Sequence, residues 1–135
     1  MKILSRFIAS EEQNVVANSP ILFSSSTSTS ICVALTADGR ILLKTPGTYL
    51  VYTNFDVSTT TTGNITVSLL ENGIVSPGAT GTATIDTADN IVNIGFNAIT
   101  SVKTNGTTGE YATLTFTTNS DATITNANVI IEKVA

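Results

Sequence analysis

Five carboxylates, Glu71, Asp86, Asp89, Glu110 and Asp121, are the side chains in this chain whose type best suits acid–base work. Glycoside hydrolysis needs only two such groups facing each other across a bond. Here nearly all of them stand beside Gly, Asn or Ser in predicted turns, which is the setting of solvated loop residues. Asp86-Thr87-Ala88-Asp89 offers oxygens of the kind Ca²⁺ takes, but that ion needs about six to eight of them, and plain turn capping accounts for the segment. Cys32 would be a nucleophile only if its surroundings lowered its pKa, and its alternating neighbours Ile31, Val33 and Leu35 mark it as a small core or interface residue. There is no histidine, which removes Ser-His-Asp and Cys-His relays and the commonest metal ligand. Asn64-Ile65-Thr66 and Asn105-Gly106-Thr107 match the N-glycosylation pattern but read as ordinary strand and turn residues. The expectation is a chain with no catalytic residue, no metal and no cofactor, and so not an enzyme.

Charge narrows the partners. Only 12% of the 135 residues are charged, against roughly 25% in a typical soluble domain. The six basic residues are scattered, so the clustered footprint that nucleic acid requires is missing. No apolar run approaches the ~18 residues of a membrane-spanning helix. The start faintly imitates a signal peptide, yet Arg6 interrupts its apolar run and Glu11 and Glu12 stand where a cleavage site would be. It reads as mature protein. A single cysteine excludes an internal disulfide. Few charges suit a chain that loses surface to identical neighbours, although a hydroxyl-rich surface would look the same.

The elements that must position these residues are strands. Thr and Ser replace the missing charges in runs such as Ser24 to Ser30 and Thr59 to Thr62, and β-branched Thr suits a pleated surface. Turn signals recur about every ten residues: Asp38-Gly39, Pro46-Gly47, Gly63-Asn64, Asn72-Gly73, Ser76-Pro77-Gly78, Asn105-Gly106 and Ser120-Asp121. Between them the period is two, over Tyr49 to Val57, Ile65 to Leu69, Val92 to Ala98, Tyr111 to Thr117 and Ala127 to Ile131. Pro20 to Phe23, Ile31 to Leu35, Arg40 to Lys44 and Thr82 to Asp86 are further candidates. This predicts an all-β, antiparallel two-sheet jelly-roll sandwich of about eight or nine strands. An immunoglobulin-like sandwich lacks support, having neither the Trp nor the Cys pair.

Two features look outward. Leu50 and Tyr52 lie opposite the Tyr49/Val51/Phe55 face, and Ile130 opposite Val129 and Ile131. A strand apolar on both faces needs a second cover, which makes Leu50, Tyr52 and Ile130 the candidate trimer interface. Residues 1–18 read as an N-terminal arm, ahead of the jelly-roll domain assigned to 19–135. Their apolar Ile3, Leu4, Phe7 and Ile8 suit either a first strand of the same domain or an arm docking on a scaffold.

The run Arg40-Ile41-Leu42-Leu43-Lys44-Thr45-Pro46-Gly47-Thr48-Tyr49-Leu50-Val51-Tyr52 resembles a signature of the tumour-necrosis-factor-like and complement-globular-head-like jelly rolls. The hairpin Leu69 to Ala79 and the closing strand Ile124 to Val134 are similar to that family's later elements. Within it the chain looks most like short bacterial and phage versions. The resemblance implies a homotrimer serving as a surface, decoration or fibre-head module. The leading expectation is therefore a trimeric capsid decoration or head-fibre protein of a bacteriophage, partnered by a capsid or other virion protein and located on the particle surface. The alternative is a glycan- or receptor-binding module of a phage tail, or of a bacterial cell or spore surface layer. Hydroxyl-rich loops would serve the glycan reading, although the chain lacks Trp and has few Tyr.

Overall fold

A computed structural model describes residues 3–28, 32–102 and 112–135, all in strands, turns and extended segments. The strands are β1 (Ile3–Ala9), β2 (Gln13–Val15), β3 (Ser25–Ser28), β4 (Val33–Leu35), β5 (Ile41–Leu43), β6 (Gly47–Ser58), β7 (Gly63–Glu71), β8 (Ile74–Ile85), β9 (Val92–Ile94), β10 (Asn97–Val102), β11 (Ala112–Thr118) and β12 (Ala122–Lys133). They form two antiparallel sheets. The first runs β10-β6-β12-β1-β3, with β2 also on β12 and β9 also on β6; the second runs β4-β5-β11-β7-β8.

Alternation along the strands builds the core between these sheets. Tyr49, Val51, Phe55 and Val57 of β6, Val129 and Ile131 of β12, and Phe7 of β1 face Ile65, Val67 and Leu69 of β7 and Leu114 and Phe116 of β11. Phe116 lies among three rings, with centroids 5.2 Å from Phe55, 6.0 Å from Phe23 and 6.2 Å from Phe96. It ties the second sheet to the first.

Three expected elements turned out differently, and one open alternative took the form of a strand. Ser76-Pro77-Gly78 is not a turn; it lies within β8 as a bulge, where the register on β7 slips between Ser68 and Leu70. Proline is tolerated there because β8 is an edge strand with no ladder partner on its far side. Pro20 to Phe23 is not a strand but a crossing between sheets. Ile21 N–H donates to Phe116 O at 2.8 Å in the second sheet, and Ser24 N–H donates to Ile8 O at 2.9 Å in the first. The Val92 to Ala98 stretch is split into β9 and β10, and the Thr53 hydroxyl fills the gap. It donates to Phe96 O at 2.8 Å and accepts from Phe96 N–H at 3.0 Å. Finally, Ile3–Ala9 forms a strand between β12 and β3, so this part of the 1–18 segment belongs to the sandwich. The Asn105-Gly106 turn and the Asn105 glycosylation motif lie outside the described residues, as do Ile31, Glu110 and Tyr111.

Side-chain amides complete the ladders where the backbone cannot. Gln13 mimics a strand partner, accepting from Leu22 N–H at 3.0 Å and donating to Leu22 O at 2.8 Å. Asn119 Oδ1 accepts from Thr66 N–H at 2.9 Å. Gly39 is needed for a different reason. Its φ is +86°, and a Cβ there would sit 2.9 Å from the Phe23 carbonyl oxygen. Gly39→Ala is expected to cost about 1–3 kcal/mol, read as a lower urea midpoint.

Tyr49 predicts an alkaline limit. Its hydroxyl donates to Thr45 O at 2.5 Å, and burial, aided by nearby Cys32, raises its pKa above the ordinary 10.0. The unfolded chain loses this proton near pH 10 while the folded chain retains it. Stability is therefore unaffected by this group below about pH 10 and falls above it, up to the raised folded value. Urea unfolding between pH 8 and 12 should show that decline, and Tyr49→Phe should diminish it.

Candidate functional site

No group of three acidic or cysteine side chains that could hold a metal occurs among the described residues. Glu71 accepts from Thr100 Oγ1 at 3.3 Å, and Asp121 accepts from Ala17 N–H at 2.9 Å. Asp86 and Asp89 are exposed, with Asp89 N–H bonded to Thr59 O at 2.8 Å. Each of these four has a structural or solvated place. Cys32 is half-buried against the core. Asn64 lies in β7, where its Oδ1 accepts from Thr84 Oγ1 at 2.8 Å.

Of the hydroxyl-rich runs, Thr59 to Thr62 is the loop between β6 and β7, with Thr60 to Thr62 exposed, whereas Ser24 to Ser30 is strand over much of its described part. Ser25–Ser28 is the edge strand β3, and Thr59 is buried with its hydroxyl donated to Thr61 O.

What the fold does assemble is the outer face of the first sheet. Register places Ile99, Leu50, Glu132 and Leu4 in one row across β10, β6, β12 and β1. The next row reads Asn97, Tyr52, Ile130 and Arg6. Leu50, Tyr52 and Ile130 are thus brought together, with Tyr52 directly opposite Ile130. Ile99 joins them and is the most open of the group at 67% exposure, against 37% for Tyr52. Its signal in the sequence is weak: the alternation of Val92 to Ala98 must be continued through β10 one residue further to turn Ile99 outward. Beside this patch, Leu50, Tyr52, Pro77 and Ile99 border a shallow groove of ≈ 500 Å³ against the β8 bulge.

Beyond the apolar rows the same face becomes amide-rich. Asn54 and Asn128 are opposite one another, as are Asp56 and Asn126. Asn93 Nδ2 donates to Asn54 Oδ1 at 2.6 Å and to Asp56 Oδ1 at 2.9 Å, while Arg6 Nε donates to Asn128 Oδ1 at 2.8 Å. The face therefore has an apolar half and a hydrogen-bonding half with few charges.

The four N-terminal docking candidates do not form a single surface. Strand alternation buries Phe7 completely in the chain's own core, so it is not available to a scaffold. Leu4 and Ile8 point outward on the first sheet, Leu4 beside Glu132 and Ile8 beside Asn128. Ile3 pairs with Lys133.

This two-sheet arrangement is the jelly roll of tumour necrosis factor and complement C1q globular domains. The chain is similar to Eiger TNF from S. frugiperda, with a TM-score of 0.71 and 14% identity over 100% of this chain and 92% of that one. It is similar to the globular domain of zebrafish complement 1qA, with a TM-score of 0.67 and 8% identity over 98% and 96%. Murine APRIL gives a TM-score of 0.67 and 12% identity over 99% and 100%. At such identities the likeness is one of fold. No family model and no curated protein matches the chain by sequence.

Proposed function

We propose that this chain is a non-catalytic building block that self-associates as a homotrimer through the outer face of its first sheet. The observation that carries this reading is the apolar patch of Ile99, Leu50, Tyr52 and Ile130, with Leu4 beyond Glu132 in the same row, on a face left uncovered by the described residues. An open apolar patch rimmed by polar groups is the mark of an interaction surface. A copy of the same chain suits it electrostatically, because the charges on this face are of both signs, Arg6 against Glu132 and Asp56. The finer reading is a decoration or head-fibre module on a bacteriophage particle. It is supported by the motif resemblance to short phage and bacterial members and by the low charge of the chain.

Native mass spectrometry should give a species of three times the 14.0 kDa chain mass. A monomer at micromolar concentration would overturn the trimer. The scaffold is tested separately: the chain should co-sediment with purified phage particles of its source and be present in their protein profile. Its absence from both would leave the trimer intact and remove the virion role.

A further inference from the structure

The opposite side of the sandwich has a different chemistry. The outward side chains of its adjacent strands are Thr80, Thr82 and Thr84 in β8, Asn64, Thr66 and Ser68 in β7, and Thr113 and Thr115 in β11, with Thr117 on the same side but buried. None is ionisable. Glu71, the one acid in these three strands, turns instead toward Thr100 of the other sheet. Toward β8 the polar groups satisfy one another, with the Thr66 and Thr82 hydroxyls 2.8 Å apart and Thr84 bonded to Asn64 at 2.8 Å.

Toward β11 they do not, and there the surface becomes concave. Thr113 and Thr115 line a groove of ≈ 440 Å³ together with Pro20, Arg40, Leu70 and Asn72. That volume lies within the roughly 300–1,000 Å³ of small-ligand clefts. Leu70 stands opposite Thr115 in the ladder and Pro20 bridges to Thr117, giving the groove apolar surface. Asn72 is held by both ends: its N–H donates to Thr113 O at 2.9 Å and its Oδ1 accepts from Thr113 N–H at 2.8 Å. Its Nδ2 is left as a donor at the rim. Arg40, the only charged residue of the lining, has its Nε paired with Asp38 at 3.3 Å. Its terminal nitrogens remain as donors, but its charge is already balanced.

We propose that this groove binds an uncharged saccharide. A sugar ring presents hydroxyls that both donate and accept, and a C–H face that prefers apolar contact. Thr113 and Thr115 supply hydroxyls of both capacities, Asn72 and Arg40 supply donors, and Leu70 and Pro20 supply the apolar contact. The balanced charge selects a neutral ligand over an anionic one. The groove is on the second sheet, so the inference goes beyond the association proposed for the first and stands or falls separately.

Affinity electrophoresis in native gels containing dextran, mannan or soluble starch tests it, with polygalacturonate as the anionic comparison. At least one neutral polymer should retard the wild-type chain more than polygalacturonate does. Thr115→Val keeps the β-branched shape and removes the hydroxyl; it and Arg40→Ala should each weaken retardation by roughly tenfold. Thr84→Val, outside the groove, should leave it unchanged. Unaltered thermal melting and native mass would show that fold and assembly are intact in each variant. The proposal is overturned if no neutral polymer retards the protein, if polygalacturonate does so more strongly, or if both groove variants bind as the wild type does.

Discussion

Replacing Phe116 with alanine is expected to remove about 3–5 kcal/mol of folding stability. The side chain is fully buried, and its ring packs against Phe23, Phe55 and Phe96. Phe55 belongs to the first sheet and Phe116 to the second, so the truncation opens a void at the contact between layers. The neighbouring strands are fixed by their ladders and can close that void only partly. Since domains of this size are stable by only ~5–15 kcal/mol, the loss is a large share of the total. Urea unfolding at a fixed protein concentration would measure it, because association adds to apparent stability. A loss below 1 kcal/mol would mean that the aromatic contact is not the junction described here.

The second large effect concerns assembly rather than folding. The double variant Tyr52→Glu, Ile99→Asp is expected to fold normally and to associate at least ~100-fold more weakly. Both side chains are outside the core, so the new carboxylates stay hydrated in the single chain. Packed against a second copy they would be desolvated among apolar side chains, with Arg6 of this face already bonded to Asn128, and each interface would repeat the penalty. Sedimentation velocity should show the mass falling from three chains to one. Val16→Asp serves as the control: Val16 is 64% exposed just after β2, which pairs with the Ala122–Ile124 end of β12, whereas Tyr52 is opposite Ile130, and its replacement should leave the mass unchanged. A double variant that remained trimeric would move the interface elsewhere.

The strands with one buried face were legible in the sequence for a simple reason. Tyr49 to Val57, Ile65 to Leu69 and Ala112 to Phe116 alternate because water lies on one side and the other sheet on the other. Tyr52 and Ile130 stood out because they break that rule, and register alone placed them opposite each other. Ser76-Pro77-Gly78 could not be read this way. The same residues serve a turn or an edge bulge, and the choice depends on whether a neighbouring strand continues past them. Pro20 to Phe23 was misread because its buried Ile21 and Phe23 serve a chain passing from one sheet to the other, not a strand pairing within one. The groove beneath Arg40 was equally hidden. It joins segments near residues 20, 40, 70 and 115 that meet only once the second sheet has formed and Pro20 has bridged to it.

The place of β12 also sets the order in which the molecule can form. This strand lies at the centre of the first sheet, paired with β6 on one side and with β1 and β2 on the other, so that Ile3 meets Lys133. During synthesis β1 therefore waits for nearly the entire chain before its principal partner emerges, and β6 waits with one flank open. Folding is expected to be slow, dominated by distant pairings, and to complete only after β12 is available to pair with β1 and β6. Until then the future core and the outer apolar rows are exposed together. Productive folding and encounter with other copies thus compete during the same interval, and low expression temperature should favour the first.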